Sequence, residues 1–145
     1  MKTIIIVDID GTLADVEHRV SHVQKTPPDW ESFNQLMPKD SLNSWCKELI
    51  LSQRERGHGI MLLTGRNEKQ RDATQQWLKD NQVPYDHLFM RAADDTRSDA
   101  VVKKEIYRKE LALQQVFFVV EDRKSVVQMW RRLGLVCLQC ADGEF

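Results

Sequence analysis

The sequence predicts an α/β fold, with a five-stranded parallel sheet and helices on both faces. Short apolar runs rich in β-branched residues recur along the chain, continuous rather than alternating, as in strands buried on both faces. Between them lie longer segments whose apolar residues recur at helical spacing. The two kinds of segment alternate throughout, which is the pattern of parallel strands joined by crossover helices. At 145 residues, the chain is expected to form one domain around one core.

The elements follow in order. Residues 3–7 (Thr-Ile-Ile-Ile-Val) read as a buried parallel strand. A polar stretch with Pro27-Pro28 and Pro38 follows, and residues 13–40 are expected to form a small flap of loop and short helical pieces. Asp40 and Ser41 offer caps for a helix to about Arg56, with Leu42, Trp45, Leu49 and Ile50 at its apolar positions and Gly57 at its end. Ile60–Leu63 is the second strand. Asn67 can cap a helix to about Asp80, with Ala73, Trp77 and Leu78 inward, and Val83-Pro84 breaks it. His87–Met90 is a short third strand. Ser98 can cap a helix to about Leu111, with Val102, Ile106 and Leu113 near its stripe. Val116–Val120 is a fourth strand, Arg123–Leu133 a helix ended by Gly134, and Leu135–Leu138 a fifth strand.

Composition narrows the function classes. With 41% hydrophobic and 30% charged residues the chain has enough apolar content for a packed core, which argues against disorder. No apolar stretch approaches the length of a membrane span. The N-terminal run is too short for a signal peptide. Three cysteines, an odd and small number, suit a reducing compartment, so a cytoplasmic location is expected, the host cytoplasm if the protein is phage-encoded. Cys137 and Cys140 have Cys-x-x-Cys spacing but no second pair, and read as buried thiols. The net charge of −1 does not advertise nucleic-acid binding.

Ligands of open α/β sheets bind beyond the carboxyl ends of the strands, so the polar residues there carry the functional reading. After the first strand come Asp8 and Asp10. After the second come Thr64, Gly65 and Arg66. After the fourth come Glu121, Asp122 and Arg123, and Lys103 precedes that strand. Converging carboxylates repel one another. A hard divalent cation relieves that repulsion, and oxygen ligands select magnesium. The metal, with Lys103 or Arg66, would neutralise a phosphate monoester. Thr64 can donate to a phosphate oxygen, and Gly11 and Gly65 let backbone amides approach. There is no Gly-x-x-x-x-Gly-Lys-Ser/Thr motif, which argues against a nucleoside-triphosphate kinase site.

The segments Asp8-Ile9-Asp10-Gly11-Thr12, Leu63-Thr64-Gly65-Arg66, Lys103 and Glu121-Asp122 resemble the four motifs of the haloacid dehalogenase superfamily. That resemblance implies a Rossmann-like sheet with a minimal cap. It makes Asp8 the nucleophile that forms an aspartyl-phosphate and Asp10 the general acid and base. It places Asp8, the main-chain carbonyl of Asp10, and Asp122 around Mg2+, with Lys103 balancing charge. Asp10 is then expected to have a pKa raised by neighbouring carboxylates. Where the superfamily usually has two aspartates in the fourth motif, this chain has Glu121 first.

A longer pattern includes Arg19, Asp95-Thr96-Arg97, Asp99 with Val101-Val102-Lys103, Glu121-Asp122-Arg123, Val126–Arg132, Gly134, Cys137, Gly143 and Phe145. It is similar to the 3′-phosphatase domain of bacteriophage polynucleotide kinase–phosphatase. The resemblance implies removal of 3′-phosphates from DNA or RNA ends, by a stand-alone phosphatase lacking the kinase domain, and self-association as a homodimer. It implies that Arg19 and Arg66 contact the phosphate or the nucleic-acid end. Asp99, four residues before Lys103, is expected to orient that lysine. Arg97 either binds a backbone phosphate or pairs with Asp95. Trp45, Trp77 and Trp130 are expected in the core, and Trp30 is expected to pack within the flap rather than stack on a base. His18, His22, His58 and His87 are expected at the surface or as caps. The same chemistry would also serve a 5′- or 3′-nucleotidase acting on mononucleotides.

Overall fold

The computed structural model describes residues 2–143, so Phe145 of the C-terminal pattern lies outside the described residues. Five parallel strands form the sheet: β1 (Thr3–Val7), β4 (Gly59–Asn67), β5 (His87–Arg91), β6 (Gln115–Glu121) and β7 (Cys137–Gln139), in the order β5-β4-β1-β6-β7. The strands expected from the apolar runs are all present. The chain builds outward from β1 on one side, then returns to its other side, so the strand order reverses at β1. Val7 lies level with Leu62 on one side and Val120 on the other. The carboxyl ends of β1, β4 and β6 therefore open at the same height, where such folds bind ligands.

Successive side chains of β1 feed two cores, because strand residues alternate between faces. Ile5 and Val7 pack with Cys46 and Ile50 of α3 (Ser44–Glu55) and Trp77 and Leu78 of α4 (Arg71–Asp80). Ile4 and Ile6 pack with Val126, Val127 and Trp130 of α6 (Lys124–Arg132) and with Leu111. Leu111 closes a π-helical stretch, Tyr107–Leu111, that continues α5 (Asp99–Ile106). Ile5 is fully buried, and burial of a side chain of that size contributes about 1.5–3 kcal/mol. Among the described residues, no helix is long and apolar enough to cross a membrane.

The segment between β1 and α3 departs from a plain loop. It holds β2 (Ala14–Asp15), α1 (Glu17–Val20), α2 (Trp30–Gln35), a 3-10 turn at Met37–Lys39 and β3 (Ser41–Leu42). β2 and β3 pair antiparallel, which draws the ends of the segment together. The Asp29 carboxylate caps α2 by accepting from the Ser32 amide at 3.0 Å. This ribbon also corrects the start of α3. Ser41 is in β3, the N-cap position falls to Asn43, and Asp40 turns inward instead of capping. The Asn43 amide donates to the Thr12 carbonyl at 2.8 Å, tying α3 to the loop after β1.

Two apolar assignments shift with it. The buried positions of α3 are Cys46 and Ile50, which leaves Trp45, about 100° away around the helix, 46% exposed. Leu113 lies beyond the π-helical stretch, off the helical stripe, and is exposed. Trp77 and Trp130 are buried as expected.

Candidate active site

Asp8 follows β1 directly and is buried. Its Oδ2 accepts from the Thr12 hydroxyl at 3.1 Å and its Oδ1 from the Lys103 ammonium at 2.7 Å. Lys103 projects from α5 and also donates to Glu121 Oε2 at 2.7 Å. Glu121 ends β6, and its other oxygen accepts from the amides of Asp122 and Arg123 at 3.3 and 3.4 Å. Glu121 is thus engaged with the lysine and the turn after β6, which the extra methylene lets it reach. Gly11, at φ +81°, lies so close to Asp122 that a Cβ would come 2.1 Å from its Oδ2; only glycine fits.

Asp8, Glu121 and Asp122 each offer an oxygen, all within 4.8 Å of one another. The Lys103 ammonium pairs with Asp8 and Glu121, and Asp122 stands beside them. Burial and the charge of Asp8 push Asp122 up to about 9 and Glu121 up to about 7. Burial opposes the Lys103 charge, but Asp8 and Glu121 outweigh it and keep the lysine protonated. A negative, oxygen-only cluster of this kind fits a hard divalent cation.

Asp10 has a different environment. Its Oδ1 accepts from Arg19 Nη2 at 2.8 Å and from Arg66 Nη2 and Nε at 2.6 and 3.0 Å. Behind the arginines sits Asp40, a residue that no motif pointed to. Arg19 grips it bidentately at 2.7 and 2.7 Å, Arg66 donates at 3.1 Å, and His18 Nε2 lies 2.7 Å from its Oδ1. The Trp77 indole donates to the Asp40 carbonyl at 2.8 Å, so α4 holds the residue from below. The expectation for Asp10 is corrected here. Burial acts to raise its pKa, but Arg66 and Arg19 outweigh burial and hold it below the usual range. Arg19 is fully buried, with its guanidinium 4.2 Å above the Phe33 ring, and it holds two carboxylates instead of facing the cavity.

Asp99 is the second correction. It shares a helix face with Lys103, yet its carboxylate accepts from Arg91 Nη2 and from Arg123 Nη1, the latter at 2.8 Å. Lys103, one turn further into α5, reaches Asp8 instead. The Asp99 charge still helps keep the lysine protonated. Gly65 makes room for this arrangement, because a Cβ there would meet Asp99 Oδ1 at 2.5 Å. Arg91, also missed in the sequence, donates in addition to the Gly65 carbonyl at 2.8 Å. Arg97 pairs with Asp95 at 2.9 and 2.7 Å and with Glu105 at 2.7 Å.

These residues surround a cavity of about 600 Å³. Asp8, Asp10, Thr64, Gly65, Arg66, Glu121 and Asp122 line it, with Trp30 and Asn34 from α2, Arg91 from the end of β5, Arg97 from the loop after it, Asp99 from the start of α5 and Arg123 after β6. Thr64 is buried, and its hydroxyl accepts from the Arg66 amide at 3.1 Å. Lys103 lies behind Asp8 and does not line the cavity. The three thiols are free, and burial pushes them up, Cys46 to about 12 and Cys140 to about 11.

The family described as polynucleotide kinase PNKP phosphatase domain matches residues 2–145. The chain belongs to this phosphatase family. Two chains from structures of the Pnkp1/Rnl/Hen1 complex, one described as an RNA repair complex, are each 33% identical to this phosphatase. They superpose over all of it with TM-scores of 0.85 and 0.86. The phosphatase spans 44% and 48% of those chains, less than half of either. A phosphatase from Clostridium acetobutylicum, described as predicted, shares the fold at 14% identity, with a TM-score of 0.70 over 96% of this chain and 84% of that one. The phosphatase is therefore a haloacid dehalogenase-type α/β protein, as its motifs indicated.

Proposed function

We propose that this phosphatase is a magnesium-dependent polynucleotide 3′-phosphatase that works through an aspartyl-phosphate on Asp8. The observation that carries the reading is the cluster at the cavity floor. Asp8 has both oxygens fixed by Thr12 and Lys103, next to Asp10, in a chain matched almost end to end by a polynucleotide kinase phosphatase family. The related chains of the RNA repair complex support the choice of a nucleic-acid end as substrate.

Asp8 attacks phosphorus as the bond to the 3′ oxygen breaks, and that oxygen takes a proton from Asp10. Water then attacks the acyl-phosphate and gives its proton back to Asp10, releasing phosphate and restoring Asp8. In the free enzyme Asp10 is held ionised by its arginines. A phosphate dianion beside it opposes their effect and raises its pKa toward a value suited to donation. Lys103 holds the Asp8 carboxylate in place. Thr64 and the amides around Gly65 are positioned to donate to phosphate oxygens. Asp8, Asp122 and the main-chain carbonyl of Asp10 would hold Mg2+, which supplies charge neutralisation for the transferring phosphoryl group. Residues 13–40 act as a short flap beside the cavity.

The test is release of inorganic phosphate from a 3′-phosphorylated oligonucleotide with Mg2+, comparing wild type with Asp8→Asn. Release by the wild type and none by the variant is expected. No release by micromolar wild-type enzyme rejects the reading. Higher kcat/KM on a mononucleoside 3′- or 5′-phosphate than on the oligonucleotide replaces it with a nucleotidase.

A further inference from the structure

Trp30 packs against Phe33 of its own segment, as expected, but much of its surface stays open. Its side chain is 55% exposed, whereas Trp77 and Trp130 are buried. It lines the same cavity as Asp8 and Asp10. The ring is also held in place. Trp30 is the first residue of α2, which Asp29 caps, and its ring meets the Phe33 ring edge to face at 5.6 Å and 90°. Phe33 is buried and carries the Arg19 guanidinium on its ring. A large apolar ring left open at a charged cavity, and fixed on a rigid support, is a preformed binding surface. An aromatic side chain has few rotatable bonds to freeze on binding, so contact there costs little conformational entropy.

The occupant is identified by chemistry. The cavity floor takes a phosphate, so the group at Trp30 belongs to the alcohol that carries it. For a flat, weakly polar group attached to a phosphorylated sugar, aromatic stacking is the interaction such a ring offers, and every nucleobase has a face that can accept it. Carboxylates and guanidiniums elsewhere in the cavity are already committed to each other, Arg97 to Asp95 and Glu105, and Arg91 to Asp99. Of the apolar side chains lining the cavity, Phe33 and Met37 are buried, and Trp30 is the exposed one.

We propose that Trp30 is a stacking platform for a nucleobase at or next to the phosphorylated end. This rests on the phosphatase reading above and deepens it, making recognition of the end base-dependent but not base-specific.

The test is a cycle of two changes: Trp30→Ala in the protein, and removal of the bases from the last two nucleotides of a 3′-phosphorylated oligonucleotide. Each change alone is expected to lower kcat/KM about ten-fold, chiefly through KM, in keeping with the usual worth of base–aromatic stacking. Made together they are expected to lower it by no more than either alone, because both remove one contact. Trp30→Phe should recover most of the loss. The same cycle is read as equilibrium affinity in the Asp8→Asn background, where turnover is blocked. Losses that multiply to about a hundred-fold, or an unchanged KM in Trp30→Ala, overturn the proposal while leaving the phosphatase reading intact. A coupled loss of affinity without any phosphate release by the Asp8 enzyme overturns the phosphatase reading and keeps the platform.

Discussion

Two groups of buried carboxylates meet at the end of the sheet, and they are solved in opposite ways. Asp8, Glu121 and Asp122 cluster around one ammonium, Lys103, which pairs with the first two. Asp10 and Asp40 share two guanidiniums, Arg19 and Arg66, with His18 beside them. The second group is neutral within itself and is held by short, partly bidentate hydrogen bonds, so its geometry is complete without a ligand. The first sets three carboxylates against one ammonium in a buried place, a surplus that bound protons relieve in the free protein and that a cation can relieve in their stead. The second group is therefore scaffold, and the first is the part that the proposed metal and phosphate would complete.

The comparison can be broken at each group. Asp8→Asn keeps the shape of the open group and removes the nucleophile, and it should lower phosphate release at least ~10³-fold. Asp40→Asn breaks the balanced group. It leaves two buried arginines sharing one carboxylate, and loss of one partner of a buried pair costs about 3–5 kcal/mol. Urea unfolding should show that loss, and activity should fall as well because Asp10 loses its support. Added Mg2+ should stabilise the wild type through the open group, by about 2.7 kcal/mol at a hundred times its Kd. Calorimetry should show a higher Tm, a shift that EDTA reverses.

The smallest effect separates the groups by sign. Asp10 is held below its ordinary 3.8. Its stabilising contribution is therefore present above about pH 4 and is lost as acid protonates it in the folded state. Asp122 is pushed up to about 9 from 3.8. Its contribution is full below its unfolded value and is lost as pH rises toward 9. In EDTA, stability should decline from about pH 5 to 9, and saturating Mg2+ should flatten that decline. A metal-free stability that rises across that range would contradict the charge imbalance drawn here.

Most of the first group was legible because β1, β4 and β6 announce themselves as apolar runs and their polar residues follow immediately. Register then does the rest: Val7 beside Leu62 and Val120 brings the strand ends together. Lys103 follows from its motif, and so does its pairing with Asp8, but the role expected of Asp99 does not hold. Helical spacing put Asp99 beside it, whereas Arg91 at the end of β5 and Arg123 after β6 hold the Asp99 carboxylate. Asp40 was hidden for a related reason. An aspartate before a helix reads as a cap, and only the pairing of β2 with β3 turns it toward Arg19 and Arg66. Trp45 is exposed against expectation because spacing alone does not say which face of a shifted helix meets the core. Pairings that depend on side chains folding back across 21 or more residues leave no local trace.

The Arg19–Asp40–Arg66 clamp also orders events in the life of the chain. As the chain emerges in synthesis, Asp8, Asp10 and Arg19 come early, but Arg66 enters only with β4, Lys103 with α5, and Asp122 after β6. The Asp10–Arg66 contact spans 56 residues, and the Lys103–Asp8 contact spans 95. Contacts so distant in sequence close late in folding. A nascent or half-folded chain thus holds Asp8 and Asp10 without Lys103, Glu121 or Asp122, and the buried carboxylate cluster is complete only when β6 docks beside β1.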